Sequence, residues 1–231
     1  MRPGNCYRQR IHRQLVIIMN ATIIIPAIGA QYELEAERLL QTFPDALLIT
    51  DKHPAFQRMH ENDKVNGLLV KTDFARYLPA EIDGPVILCD ADLHAMRPDP
   101  LAAFSVHEST DMALVPYPGR WFYPDADVQQ AADHLGQRQL NSGFIYFKDP
   151  AIAALVSAAW RDKYLHRLQD DSKPLQRRLT EYDELALMLA LVSLNLQIEF
   201  LDPVWNDWEH NVPGAIFRQT HTEDPDPLRL L

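Results

Sequence analysis

The feature that most constrains the fold is the segment Pro85-Val-Ile-Leu-Cys-Asp-Ala-Asp-Leu-His-Ala-Met96. Four apolar residues, Val86 to Cys89, run straight into Asp90 and Asp92, with Gly84-Pro85 before them and Arg97-Pro98 behind. An apolar run of this length between turn signals predicts a short buried strand. Side chains of an extended segment alternate in direction, so Asp90 and Asp92 are expected to point the same way. Two carboxylates sharing one face at a strand's C-terminal end repel each other unless a cation or a proton intervenes. The segment therefore predicts chemistry at the mouth of a sheet.

The chain around it supplies the sheet. Ala21-Thr-Ile-Ile-Ile-Pro26 is a β-branched strand pattern, and Pro26 with Gly29 opens the loop after it. Glu33 to Gln41 has helical spacing, and Ala46-Leu-Leu-Ile-Thr50 is a second strand ending at Asp51. This β-α-β opening is the mark of a sheet covered by helices. Residues 66–70 form a weaker segment, followed by a helix carrying Lys71, Asp73 and Arg76. A short helix is expected from Pro100, strands over 111–116 and 140–147, and a long flap over 117–139. Ile152, Leu155, Val156, Ala159 and Trp160 recur at helical spacing. Thr180 with Asp183 three residues on resembles a capping box. The helix it opens, to Asn195, is apolar on nearly every side and so buried. Residues 198–201 close the sheet. No repeat and no linker divides the chain, which reads as one domain over 19–231 behind an extension, 1–18.

Bulk properties exclude some classes. The formal charge is −10, from 32 acidic against 22 basic residues, which argues against an open nucleic-acid-binding surface. A phosphorylated small substrate remains compatible, because a metal and a few local cations override a global charge. The two cysteines, Cys6 and Cys89, make neither a disulfide framework nor a metal spacing. Leu15 to Met19 is too short to span a membrane. A cytoplasmic protein without an integral membrane segment is the expectation.

Asp90 and Asp92 offer the half-site that a hard divalent cation such as Mg²⁺ or Mn²⁺ completes with water and substrate phosphate. Asp125–Asp127 and Asp224–Asp226 repeat the spacing without a strand behind them. A haloacid-dehalogenase-like phosphohydrolase also sets Asp-x-Asp after an apolar strand, the first Asp acting as nucleophile. In that class the strand usually comes first in the chain, whereas here a β-α-β unit precedes it. For single residues the ordinary readings compete: Asp183 as a helix cap, and Trp205 and Trp208 as packing or as a sugar-stacking platform.

Five motifs occur in a telling order: Ile87-Leu-Cys-Asp-Ala-Asp-Leu93, Leu140-Asn-Ser-Gly-Phe-Ile-Tyr-Phe147, Tyr182-Asp-Glu-Leu-Ala-Leu187, Phe200-Leu-Asp-Pro-Val-Trp-Asn206 and His221. In this order the chain, from Ala21 to His221, resembles nucleotide-diphospho-sugar glycosyltransferases of the GT-A fold, glycogenin- and galactosyltransferase-like (family 8-like). The resemblance implies an α/β, single-domain GT-A fold with a Rossmann-like mixed sheet flanked by helices. It implies a metal-dependent glycosyltransferase with Mn²⁺ (or Mg²⁺) held by Asp90, Asp92 and His221, retention of configuration being favoured over an inverting reaction in which Asp183 or Glu184 deprotonates the acceptor hydroxyl. Asp90 either ligates the metal or holds the donor ribose. Pro26, Ala27, Ile28 and Gly29 would support the base and ribose, and Asp51 would recognise the base. Lys71 would approach the donor, and Ala91 would lie between the metal-binding aspartates against it. Asn141, Ser142 and Gly143 would line the donor sugar, and Asn141, Asp183 and Glu184 would be the catalytic residues. The donor is expected to be a UDP-sugar and the acceptor a saccharide or protein. No lysine follows Lys173, so leaving-group stabilisation falls to the metal and Arg218. A catalytically inactive nucleotide-sugar-binding protein on the same fold is the further alternative.

Overall fold

A computed structural model describes residues 15–17, 20–102, 104–116, 126–136, 140–169, 182–207 and 212–219. Its strands are β1 (Leu15–Ile17), β2 (Thr22–Pro26), β3 (Leu47–Ile49), β4 (Val86–Cys89), β5 (Leu93–Ala95), β6 (Ser105–His107), β7 (Met112–Pro116), β8 (Leu140–Phe147), β9 (Ile198–Phe200) and β10 (Phe217–Gln219). Its helices are α1 (Ala30–Thr42), α2 (Asp63–Thr72), α3 (Ala126–Leu135), α4 (Pro150–Leu168) and α5 (Tyr182–Val192).

The main sheet has six strands in the order β3-β2-β4-β8-β7-β9. β2 runs parallel to β3 and β4, and β7 parallel to β9, while β8 is antiparallel to both of its neighbours. The reversal of β8 positions the site. An antiparallel neighbour sets its beginning beside the other strand's end, so Cys89 pairs with Phe144 and the Asp90 N–H donates to the Gly143 carbonyl at 2.9 Å. Two-stranded ladders join β1 to β6 and β5 to β10.

Alternation along the strands divides the core. Val86 and Leu88 face α2 to α5, together with Phe74, Trp160 and Tyr164. Ile87 and Cys89 face the opposite layer, with Leu39 of α1, Phe104, Phe144 and Phe217. A strand covered on both sides needs an unbroken apolar run, and β4 is buried at every position. The helices begin at recognisable caps. Asn62 accepts from the Lys64 N–H at 2.8 Å, and Asp149 accepts from the Ile152 N–H at 2.9 Å with Pro150 in the first turn.

Several expectations need correction. The weak segment 66–70 lies inside α2, where the Asn62 cap and the buried Val65, Leu69 and Val70 drive a helix. Among the described residues no helix starts at Pro100; residues 100–102 are turn. The flap over 117–139 contains α3, whose Val128, Ala131 and Ala132 make the narrow buried stripe of a helix. Residues 117–125, 137–139 and Thr180 of the expected capping box lie outside the described residues. The ladder strands β5, β6 and β10 are three residues each, too short to show a period. Among the described residues no helix is long and apolar enough to cross a membrane.

Candidate active site

At the end of β4 the strand stops at Cys89, and Asp90 to Asp92 enter a turn. The two carboxylates converge, but not through strand alternation as expected. They converge because both accept from the amide of Gln219: Nε2 lies 3.3 Å from Asp90 Oδ2 and 3.2 and 3.3 Å from Asp92 Oδ1 and Oδ2. Gln219 is held there by the ladder of β10 on β5, in which it pairs with Leu93.

The other oxygen of Asp90 faces a buried ammonium. Lys71, in the last turn of α2 with 8% of its side chain exposed, lies 2.7 Å from Asp90 Oδ1 and 3.1 Å from Asp183 Oδ2. It also donates to Ser142 Oγ at 2.8 Å, and that hydroxyl donates to Asp183 Oδ2 at 3.0 Å. Ser142 N–H donates to Glu184 Oε1 at 3.2 Å. Asp183 lies in the first turn of α5, and its backbone carbonyl accepts from the buried Trp160 indole at 2.6 Å. Its carboxylate therefore serves the buried ion pair.

β8 makes room for this cluster by a register break. Its pairing with β7 passes from Leu114–Ile145 to Val115–Asn141, so Ser142, Gly143 and Phe144 are looped out on that side. Bulges of this kind re-aim side chains and backbone groups. Here Asn141 Oδ1 accepts from its own strand's Gly143 N–H at 2.7 Å and from Asn206 Nδ2 at 2.6 Å. Glycine is needed at 143 on grounds of space. A Cβ there would lie 2.5 Å from Asn206 Nδ2, 3.0 Å from Asn141 Oδ1 and 3.1 Å from Gln219 Oε1.

Electrostatics follow from burial. Burial by itself would discharge Lys71, but Asp90 and Asp183 together outweigh it and hold the ammonium well above its ordinary range. Burial pushes the Asp92 carboxyl up to about 7, and the neighbouring Asp90 charge adds to the rise. Asp90 is also pushed up by burial, against the pull of Lys71.

Lys71, Asp90, Asp92, Asn141, Ser142, Gly143, Asp183 and Glu184 thus form one cluster, with Ala91 buried in the turn between the aspartates. Pro26 to Gly29 lie at the C-terminal end of β2, the same sheet edge. Ala27 and Ile28 are buried there, and Gly29 (φ 97°) packs against Asp63. Asp51 is exposed in the turn after β3, two strands from β4. His221 and Trp208 lie outside the described residues. Trp205 is partly buried and packs its ring against Phe104 at 4.7 Å and Phe144 at 5.8 Å between centroids. Two site residues carried no role in the sequence reading. Asn206 stood in a quoted motif, and Gln219 lies two residues before His221 with no signal of its own.

The donor set suits a hard divalent cation: three carboxylate oxygens of Asp90 and Asp92 surround a single polar atom, the Gln219 amide nitrogen. Among the described residues, no group of three or more His, Cys, Asp or Glu is placed to hold a metal. Asp90 and Asp92 could supply only part of a cation's oxygen shell, with the Gln219 carboxamide and substrate oxygens as candidates for the rest.

No family model matches the sequence. No curated protein matches it. Solved structures do. The chain is similar to a glycosyltransferase involved in the glycosylation of the major capsid of PBCV-1, at 11% identity over 87% of this chain and 94% of that one, with a TM-score of 0.52. It is also similar to mouse xyloside xylosyltransferase 1 in its apo form, at 9% identity over 90% of this chain and 99% of that one, with a TM-score of 0.49. The first of these shows the fold: an α/β chain whose mixed sheet is flanked by helices, as in GT-A-like glycosyltransferases.

Proposed function

We propose that this chain transfers a sugar from a nucleotide-diphosphate donor to an acceptor hydroxyl, with a divalent cation, Mn²⁺ or Mg²⁺, at Asp90 and Asp92. The observation that carries this reading is the convergence of both carboxylates on one point at the rim of the sheet, beside a buried lysine. A cation there would neutralise a diphosphate as donor ligand and as leaving group. Lys71 fixes Asp90 and Asp183 in place, and the looped-out Asn141-Ser142-Gly143 offers a close-approach surface for the donor sugar. Asp183 and Glu184, both bonded to Ser142, supply the acidic groups beside it. Pro26 to Gly29 and Asp51 are the proposed base and ribose side, and His221 a further candidate ligand. The motif order favours the family 8-like branch, a UDP-sugar, a saccharide or protein acceptor and retention of configuration. Residues 19–231 form the transferase unit in this reading, placed in the cytoplasm.

The phosphohydrolase alternative has less support, since β4 follows β2 and β3 in the sheet. Thermal shift separates the readings, because a ligand that binds only the folded state raises apparent stability by about 2.7 kcal/mol at one hundred times its Kd. UDP or a UDP-sugar with Mn²⁺ is expected to raise the midpoint by roughly 5–10 °C, and to do less without the metal. Release of free sugar from the donor then marks the transferase. If no nucleotide diphosphate shifts the midpoint with either metal, the proposal fails.

Gly143→Ala tests the bulge. The added methyl must push Asn206 or Gln219 aside, an overpacking cost of about 1–3 kcal/mol. Donor turnover is expected to fall at least tenfold while a folded melting transition persists. Turnover within twofold of wild type would separate the bulge from the chemistry.

A further inference from the structure

We infer that Gln219 is itself a ligand of the divalent cation, through its carboxamide oxygen. The inference rests on the metal-dependent reading above and adds a residue to that site.

One amide nitrogen carries two protons, yet Nε2 of Gln219 faces three carboxylate oxygens at 3.2–3.3 Å. A well-placed amide N–H···O bond runs shorter, mostly about 2.9–3.0 Å. The nitrogen thus stands where three anionic oxygens converge, without the protons to serve all three. A divalent cation serves such a point better than an amide does. The same terminal carbon carries Oε1, and the last torsion of glutamine is broad and roughly two-fold. Exchanging the two ends of the amide turns a donor into an oxygen ligand without moving the backbone. The backbone is fixed in any case: β10 pairs through Phe217–Ala95, Arg218–His94 and Gln219–Leu93, and Phe217 is fully buried. Oε1 lies 3.1 Å from where a Cβ of Gly143 would be, so it already faces the looped-out corner of β8. A ligand set of two carboxylates and one carboxamide is all oxygen. It suits hard cations, Mg²⁺, Mn²⁺ and Ca²⁺, and lacks the imidazole or thiolate that would strongly favour Ni²⁺ or Zn²⁺.

Mn²⁺ binding to the full chain, read by the electron paramagnetic resonance of free Mn²⁺ at pH 7.5, tests this without any turnover measurement. Gln219→Met keeps the length of the side chain and removes the carboxamide; it is expected to weaken Mn²⁺ binding at least tenfold. Gln219→Glu keeps an oxygen and adds a charge. It is expected to bind Mn²⁺ at least as tightly as wild type and to have a lower melting midpoint in chelator, because a third carboxylate then faces Asp90 and Asp92. Competition with Ni²⁺ should show no strong preference for the softer ion. Unchanged or tighter Mn²⁺ binding by Gln219→Met would overturn the inference, making the amide a competing hydrogen-bond donor and no more. A loss confined to His221→Ala would overturn it too, by handing the position to imidazole. Absence of Mn²⁺ binding in the wild-type chain would overturn this inference together with the metal-dependent function. The first two outcomes would leave that function standing.

Discussion

Replacing Lys71 by methionine is expected to cost about 3–5 kcal/mol of folding stability, the range for removing one partner of a buried ion pair. The loss should appear as a drop of roughly 6–20 °C in melting midpoint for a chain of this size. The size of the effect comes from what is left behind. Asp90 Oδ1, Asp183 Oδ2 and Ser142 Oγ lie within 3.1 Å of the ammonium, and all three side chains would then face one another in a buried space. Protonation relieves such a defect, so the variant should recover stability on acidification. A Lys71→Met, Asp183→Asn double variant should lose much less than the sum of the two single changes. A loss under 1 kcal/mol for Lys71→Met would mean that water, and not the ammonium, satisfies these carboxylates.

Asp92→Asn should divide stability from function. The Asp92 carboxyl is pushed up to about 7 by burial and by Asp90, from an ordinary value of 3.8. Between those limits the folded chain binds a proton that the unfolded chain does not. Folding stability therefore falls as pH rises through this window, and is lower above pH 7 than at pH 4 on account of this group. Asparagine removes the penalty. In chelator the variant should melt above wild type at pH 8 and should flatten the slope between pH 4 and 7. Metal binding runs the other way, because it needs the ionised carboxylate. Wild-type Mn²⁺ affinity should rise with pH through about 7, whereas Asp92→Asn should lose the metal response and at least a hundredfold in donor turnover. Parallel melting curves for the two proteins in chelator from pH 4 to 8 would show that Asp92 is solvated and ordinary.

The legible part of this fold was the part with long apolar runs. β2, β4, β7, β8 and α4 bury enough side chains to announce themselves. β4 to Asp92, with the Asn141-Ser142-Gly143 corner, carried most of the site. What escaped was decided by partners far along the chain. The helical nature of residues 66–70 depended on a cap at Asn62 and on burial against the sheet. β5 and β10 exist because they pair with each other across more than a hundred residues, and neither has a pattern of its own. Gln219 matters only through that pairing. Convergence of Asp90 and Asp92 was anticipated for a reason that does not hold, since the extended run ends one residue before the first of them.

The dependence of the site on β10 has a consequence for how the protein is made. Synthesis proceeds from the N-terminus at about 5–20 residues per second, so Lys71 and Asp90 are made well before residues 217–219, and Asp183 only shortly before them. A chain short of β10 holds the partners of the buried lysine, yet lacks the amide that bridges the two aspartates. Completion of this rim is thereby deferred until translation has passed Gln219.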